Sequence, residues 1–164
     1  MKSLICVLLS LLLLTGCGTK NGSDDTAVSQ ERSAFRAEVD AFCETIRTID
    51  QDMNSIDTGS EDFASEIMAD LEELESAFIS FADKDFPTEY DYLESLADEA
   101  KDYMITAVDS FRDVYTSEDI TEAMMDAKYE YAGENYSRAC KRINVIVKFL
   151  NGEVDEDATV TTQE

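Results

Sequence analysis

Cysteine is the side chain with the most chemistry to offer in this chain, and it occurs four times, as Cys6, Cys17, Cys43 and Cys140. Histidine is absent. Without imidazole there is no Ser-His-Asp or Cys-His nucleophile, no imidazole zinc site, no His-ligated haem and no Glu-x-x-His di-iron centre. The cysteines are therefore left with covalent modification, disulfide formation or inert packing. Carboxylates are the other abundant reactive group: 37 acidic residues face 13 basic ones, for a formal charge of −24. Such a chain repels phosphate backbones, so nucleic acid is not an expected partner. No D-x-[DN]-x-[DN]-G loop is present, so calcium would be held only weakly and diffusely. The sequence offers no catalytic residues, no metal ligand set and no cofactor motif.

The first cysteines belong to a distinct segment. Residues 1–15, MKSLICVLLSLLLLT, carry one lysine and then an apolar run from Leu4. A membrane-crossing helix needs about 20 apolar residues; this run is shorter and has the form of the apolar region of an export signal. Leu14-Thr15-Gly16-Cys17 resembles the lipobox of bacterial lipoproteins. The resemblance is confined to the first 17 residues, and the single Lys2 makes a thin charged region before the apolar run. It implies that 1–16 is a cleaved signal peptide, that Cys17 is lipidated, and that the protein is held by membrane lipid on the extracytoplasmic face of the cell membrane. Each buried acyl methylene contributes about 0.8 kcal/mol, so two or more chains anchor stably. Residues 18–32, GTKNGSDDTAVSQER, lack apolar periodicity and read as a flexible linker spanning roughly 20 Å.

Beyond the linker, residues 33–150 carry four helical patterns. Phe35, Val39, Phe42, Ile46, Ile49, Met53 and Ile56 alternate steps of four and three, an unbroken heptad seam. Thr58-Gly59-Ser60 ends it, with Ser60 expected to cap the second helix, whose stripe is Phe63, Ile67, Leu71, Leu74, Phe78 and Phe81. Pro87 breaks that helix, and Thr88 with Asp91 has the spacing of a capping box for the third. The third stripe runs through Leu93, Leu96, Ala100, Tyr103, Ala107 and Val114, widened by Tyr92, Met104, Val108 and Phe111. Thr116 and Ser117 are expected to open the fourth, which steps through Tyr129, Ala132, Tyr136, Ala139, Ile143, Ile146 and Leu150 and stops at Asn151-Gly152. Residues 151–164 form an acidic tail with the composition of a disordered segment. Four amphipathic helices joined by short turns predict an all-α, up-down-up-down antiparallel four-helix bundle, each helix roughly 35–50 Å long. Gly133 within the fourth helix marks either a close approach or a local kink.

This topology pairs the remaining cysteines. Cys43 lies about ten residues after a helix start at Ser33, and Cys140 ten residues before Leu150, so in an antiparallel pair both stand about 15 Å from the same end. Each follows a seam position, Phe42 and Ala139. In an exported protein this predicts a Cys43–Cys140 disulfide closing a loop of about 100 residues, worth up to about 4.7 kcal/mol.

Charge should also segregate. Arg36, Arg138, Lys141, Arg142 and Lys148, with Arg32 and Lys84, are expected at the tethered end, a basic surface toward anionic lipid. Asp50, Asp52, Asp57, Glu61, Asp62, Glu66, Asp109, Asp113, Glu118, Asp119, Glu122, Asp126 and Glu130 gather at the other, diluted by Arg47, Arg112 and Lys128. Basic last turns and acidic first turns also suit the helix dipole, and a charged face is commonly no more than a solvated one. EYDYLE at 89–94 and KYEYAGENY at 128–136 alternate tyrosine with acid, and Tyr90, Tyr92, Tyr129, Tyr131 and Tyr136 form a possible partner surface or amphipathic boundary residues.

The reading is a non-enzymatic, lipid-anchored envelope protein whose helical bundle binds a protein or peptide, such as an accessory to an envelope complex or an interceptor of a toxin or phage component. A small-molecule or cation-binding bundle, a carboxylate-based enzyme and a structural spacer are the alternatives, and the enzyme would need acids facing inward. Cys17→Ala, or globomycin treatment, should block processing or release the protein from membranes, read by fractionation and gel mobility. Unchanged membrane retention would refute the lipoprotein assignment.

Overall fold

The computed structural model describes residues 26–117 and 119–153. The expected signal peptide, Cys17, Glu118 and the tail from residue 154 lie outside the described residues. The described chain forms four α-helices, α1 (Thr26–Ser55), α2 (Phe63–Ala82), α3 (Asp91–Thr116) and α4 (Glu122–Leu150), with a 3₁₀ turn at Thr88–Tyr90 before α3. They pack as an antiparallel four-helix bundle, the architecture the heptad steps predict.

The apolar stripes meet along one continuous core. Phe35, Val39, Phe42, Ile46 and Ile49 of α1 are buried, as are Ile67, Leu71, Leu74, Phe78 and Phe81 of α2. Leu93, Leu96, Ala100, Ala107, Val108 and Phe111 of α3 join Ala132, Tyr136, Ala139, Ile143 and Ile146 of α4. Tyr92, placed on the α3 stripe by spacing, is exposed instead at 42%. Contact is most extensive between α3 and α4, where Ala97, Ala100 and Ala107 on one helix and Ala132 and Ala139 on the other leave no bulk between backbones. α4 is assigned as one helix through Gly133. α1 is the outlying member: its backbone packs on α2, while its contact with α4 is made chiefly by long side chains.

The helix boundaries depart from the sequence expectation at four places. α1 begins at Thr26 rather than Ser33, so Thr26–Arg32 is helical instead of linker. This segment carries no apolar stripe, but once Phe35 and Val39 hold the helix in place, extending it through Gln30, Glu31 and Arg32 costs little. Ser60 does not cap α2: its hydroxyl accepts from Asp62 N–H at 3.1 Å inside the preceding turn, and the N-cap is Asp62, with no side-chain cap bond. The Thr88–Asp91 capping box is absent; Pro87 starts the 3₁₀ turn, Tyr90 N–H donating to Pro87 C=O at 2.6 Å. Thr116 belongs to α3, and α4 is capped by Thr121, whose side chain accepts from Met124 N–H at 3.3 Å.

The C-terminus of α4 ends as its sequence predicts. Gly152 takes φ +69°, its N–H donates to Phe149 C=O at 2.8 Å, and Glu153 N–H donates to Lys148 C=O at 2.9 Å, a Schellman closure. Arg36 of α1 completes it from outside: one guanidinium nitrogen donates to Leu150 C=O at 2.7 Å and another to Asn151 Oδ1. A cation thus meets the negative end of the α4 dipole and ties the first helix to the last. Arg36→Met should lower unfolding free energy by about 1–2 kcal/mol in urea titration. Arg32→Met, which removes the exposed Arg32–Glu89 pair, should cost less than about 1 kcal/mol.

Candidate functional site

Titratable groups meet on the α1–α4 seam. Arg36, Cys43 and Asp50 are seven residues apart, so they share one face of α1. Across from them α4 presents Tyr136 and, one turn on, Cys140. Tyr136 Oη donates to Asp50 Oδ1 at 2.8 Å, the second polar fastening between these helices. Between the two fastenings lies a cavity of about 10 Å³ lined by Cys43, Ile46, Phe78, Cys140 and Ile143. Its size is at the lower limit for one water and its walls are apolar.

Both cysteines are free thiols in the structure. The bridge that spacing predicts is not formed there, although both residues border the same void, as the antiparallel register requires. Burial pushes Cys43 up to about 11, assisted by the Asp40 carboxylate and opposed by Arg47. Burial likewise pushes Cys140 up to about 12, with Asp50 adding to the shift, the Tyr136 hydroxyl opposing it and Cys43 raising it further. Neither is a ready thiolate at neutral pH, so nucleophilic catalysis has no activated cysteine here. Burial is also the main cause raising Tyr136, ahead of Cys140 and Asp50. Asp50 is held above the ordinary carboxylate range by burial, partly offset by the Tyr136 hydrogen bond.

The expected basic end is mixed. Arg36, Lys141, Arg142 and Lys148 do lie in the half of the bundle where α1 begins and α4 ends, with Arg138 nearer the middle of α4. Arg36 is engaged by the α4 terminus, Lys84 pairs with Glu38 at 3.2 Å, and Arg142 bonds Glu99 at 2.5 Å. Arg138 lies 3.9 Å from Glu134, and the guanidinium carbons of Arg138 and Arg142 stand 5.8 and 6.0 Å from the centre of the Tyr103 ring. Glu31, Asp83, Asp85, Asp91 and Glu94 occupy the same end. The run of cations in α1, in α4 and at Lys84 gives no sign of these acids, which lie in α1, in the α2–α3 connection and at the start of α3, so both signs of charge mix at this end.

The opposite end is acidic in fact. Asp52, Asp57, Glu61, Asp62, Glu66, Asp109, Asp119, Glu122, Asp126 and Glu130 are exposed there. Its cations are engaged: Arg47 with Glu44, Arg112 with Asp109 and with Glu75 at 3.4 Å, and Lys128 with Asp113 at 2.6 Å. Crowding shows in Asp70, raised by partial burial first and then by Asp52, Glu73 and Glu66.

The tyrosines do not form one surface. Tyr90 and Tyr92 stack edge-on to Phe149 at the end where α1 begins and α4 ends, with ring centroids 5.8 and 5.0 Å away. Tyr129 turns inward in the other half, its hydroxyl 2.8 Å from that of Tyr115, and Tyr136 is the buried seam residue. Tyr131 alone of the α4 tyrosines is exposed, at 52%. Met124, equally exposed and seven residues earlier on the same face, escaped the sequence reading; its spacing from Tyr131 was the available signal.

Among the described residues no group of three or more His, Cys, Asp or Glu side chains is arranged to hold a metal ion, and no helix is long and apolar enough to cross a membrane. Comparison with family models, curated proteins and solved structures found no match.

Asp50 gives the seam a pH signature. Its folded carboxyl binds a proton more tightly than its unfolded one, so the ionised form costs stability at neutral pH. That cost is relieved as pH falls through the raised folded value toward the ordinary carboxylate range. Asp50→Asn, which keeps an acceptor for Tyr136, should therefore be more stable than wild type at neutral pH and lose that advantage on acidification. Tyr136→Phe should cost about 1 kcal/mol. Denaturation midpoints across pH check both.

Proposed function

We propose that this protein is a lipid-anchored, extracytoplasmic lipoprotein without enzymatic activity, whose bundle holds a protein or peptide partner at the cell envelope. The partner chemistry that fits best is a cationic segment carrying apolar side chains. The observation that carries this reading is Met124 and Tyr131, exposed one heptad apart on α4 among Glu122, Asp126 and Glu130. An apolar pair ringed by acid offers contact area and electrostatic steering together.

The interior supports a surface role. Buried Ser110 and Asn135 bond the carbonyls of Thr106 and Tyr131, each at 2.8 Å, and among the described residues no buried side-chain nitrogen or oxygen lacks a partner. A polar ligand inside the bundle would need inward groups waiting for it, and the seam carboxylate, Asp50, is bonded to Tyr136. The anchor reading rests on Leu14-Thr15-Gly16-Cys17, and the start of α1 lies at the end of the bundle opposite the acidic one.

An amphipathic oligolysine peptide containing leucine serves as probe. Wild-type protein should bind it with salt-dependent affinity, and Met124→Ser with Tyr131→Ser should weaken binding about tenfold, or about 1.4 kcal/mol, by calorimetry. Asp83→Asn with Asp85→Asn, at the other end, should leave it unchanged. Equal losses from both pairs would mean diffuse attraction to net charge and would overturn the assignment.

A further inference from the structure

The α1–α4 seam is fastened at two places and open between them. Arg36 reaches the end of α4, Asp50 takes the Tyr136 hydroxyl, and Cys43 lies midway between them on the same face of α1. By residue number these bonds set 36 opposite 150 and 50 opposite 136, which would place 43 opposite 143. Long helical side chains lean toward their own N-terminus, so Arg36 and Tyr136 each reach beyond their backbone level. Correcting for that lean moves the position opposite Cys43 back toward 140. Cys140 stands there, and it lines the same small apolar-walled cavity as Cys43.

We propose that Cys43 and Cys140 are a built oxidation site, forming an intramolecular disulfide that closes this cavity and fastens α1 to α4 a third time. The inference concerns the seam alone and holds whether or not Cys17 is lipidated. Cys140 is the more exposed residue of the pair, so glutathione reaches it first, although burial raises its thiol further than that of Cys43. With a small-molecule disulfide such as oxidised glutathione, the Cys140 thiolate displaces one glutathione thiolate and leaves a mixed disulfide. The Cys43 thiolate then attacks the Cys140 sulfur, the inter-helix bond forms and the second glutathione leaves. Two electrons pass from the cysteine pair to glutathione disulfide, and the two thiol protons end on the released glutathione molecules.

The site sets its own rate. Cys43 faces Asp40 and Arg47 from α1, and Cys140 faces Tyr136 on α4 and Asp50 on α1, while Ile46, Phe78 and Ile143 supply only apolar walls. Oxidation should be slow at neutral pH and quicken about tenfold per unit as the thiolate fraction grows.

The test uses the purified full chain, reduced, desalted and then treated with oxidised glutathione, followed by denaturing alkylation and peptide mapping, which reads Cys43 and Cys140 separately from Cys6 and Cys17. The expected product is a single linked peptide pair joining the two cysteines, both protected from alkylation. Its melting midpoint should rise by about 10 °C over the reduced protein. Cys43→Ala should stop at a glutathione adduct on Cys140 with no such rise. Full alkylation of both cysteines after oxidation, a stable glutathione adduct on the wild-type protein, or a bond between two copies of the chain would each overturn the proposal.

Discussion

Three of the four helices, α1, α2 and α3, are net acidic, and a continuous apolar interior must outweigh their mutual repulsion. At a formal charge of −24 the compact state carries a self-repulsion penalty that every inward-facing apolar residue helps to offset. This constraint explains why the stripes are so regular and why cations are placed between helices. Arg112 reaches from α3 to Glu75 of α2, Lys128 from α4 to Asp113 of α3, and Arg142 from α4 to Glu99 of α3. Each is a bridge across a boundary where carboxylates would otherwise face each other. Individually such exposed pairs contribute little; their placement relieves repulsion where helices come together.

Within that frame the four interfaces are not equal. Alanines bring α3 and α4 together closely, and α2 completes the tightly packed part of the molecule. α1 adds its seam from outside, with aromatic contact to α2 through Phe42, whose ring stacks on Phe81 at 4.3 Å and meets Phe78 edge-on at 5.2 Å. Toward α4 it relies on Arg36 and on the Asp50–Tyr136 bond. The seam that carries Cys43 and Cys140 is therefore also the least tightly packed one.

Much of this was legible in the sequence, for a definite reason. Steps of three and four residues report which face of a helix is buried, so Phe35 through Ile49 and Ala132 through Ile146 could be read directly. Helix ends were harder. Serine, threonine and aspartate are common here, so Ser60, Thr88 and Thr116 looked like caps while Asp62 and Thr121 took the positions. The start of α1 at Thr26 was invisible because Val28 through Ala34 are all exposed and leave periodicity nothing to report. The surface chemistry was legible only in outline. Topology placed the acids at one end, but the pairing of Arg32 with Glu89 or Lys84 with Glu38 joins residues distant in sequence. Tyr92 and Tyr129 each stand both on an apolar stripe and in a tyrosine–acid run, and only the first is exposed, because the tyrosine ring suits either an apolar or a polar neighbour.

The early start of α1 changes the mechanics of attachment. Under the proposed attachment at Cys17, eight residues would separate the anchor from the start of the helix at Thr26, and a pull there would enter the bundle along the axis of α1. Arg36 lies ten residues into that helix and clasps the last turn of α4. Load entering the first helix is thereby shared with the last. A load applied between the end where α1 begins and the acidic one would then act in shear along the helices, spread over many contacts rather than opening them one turn at a time.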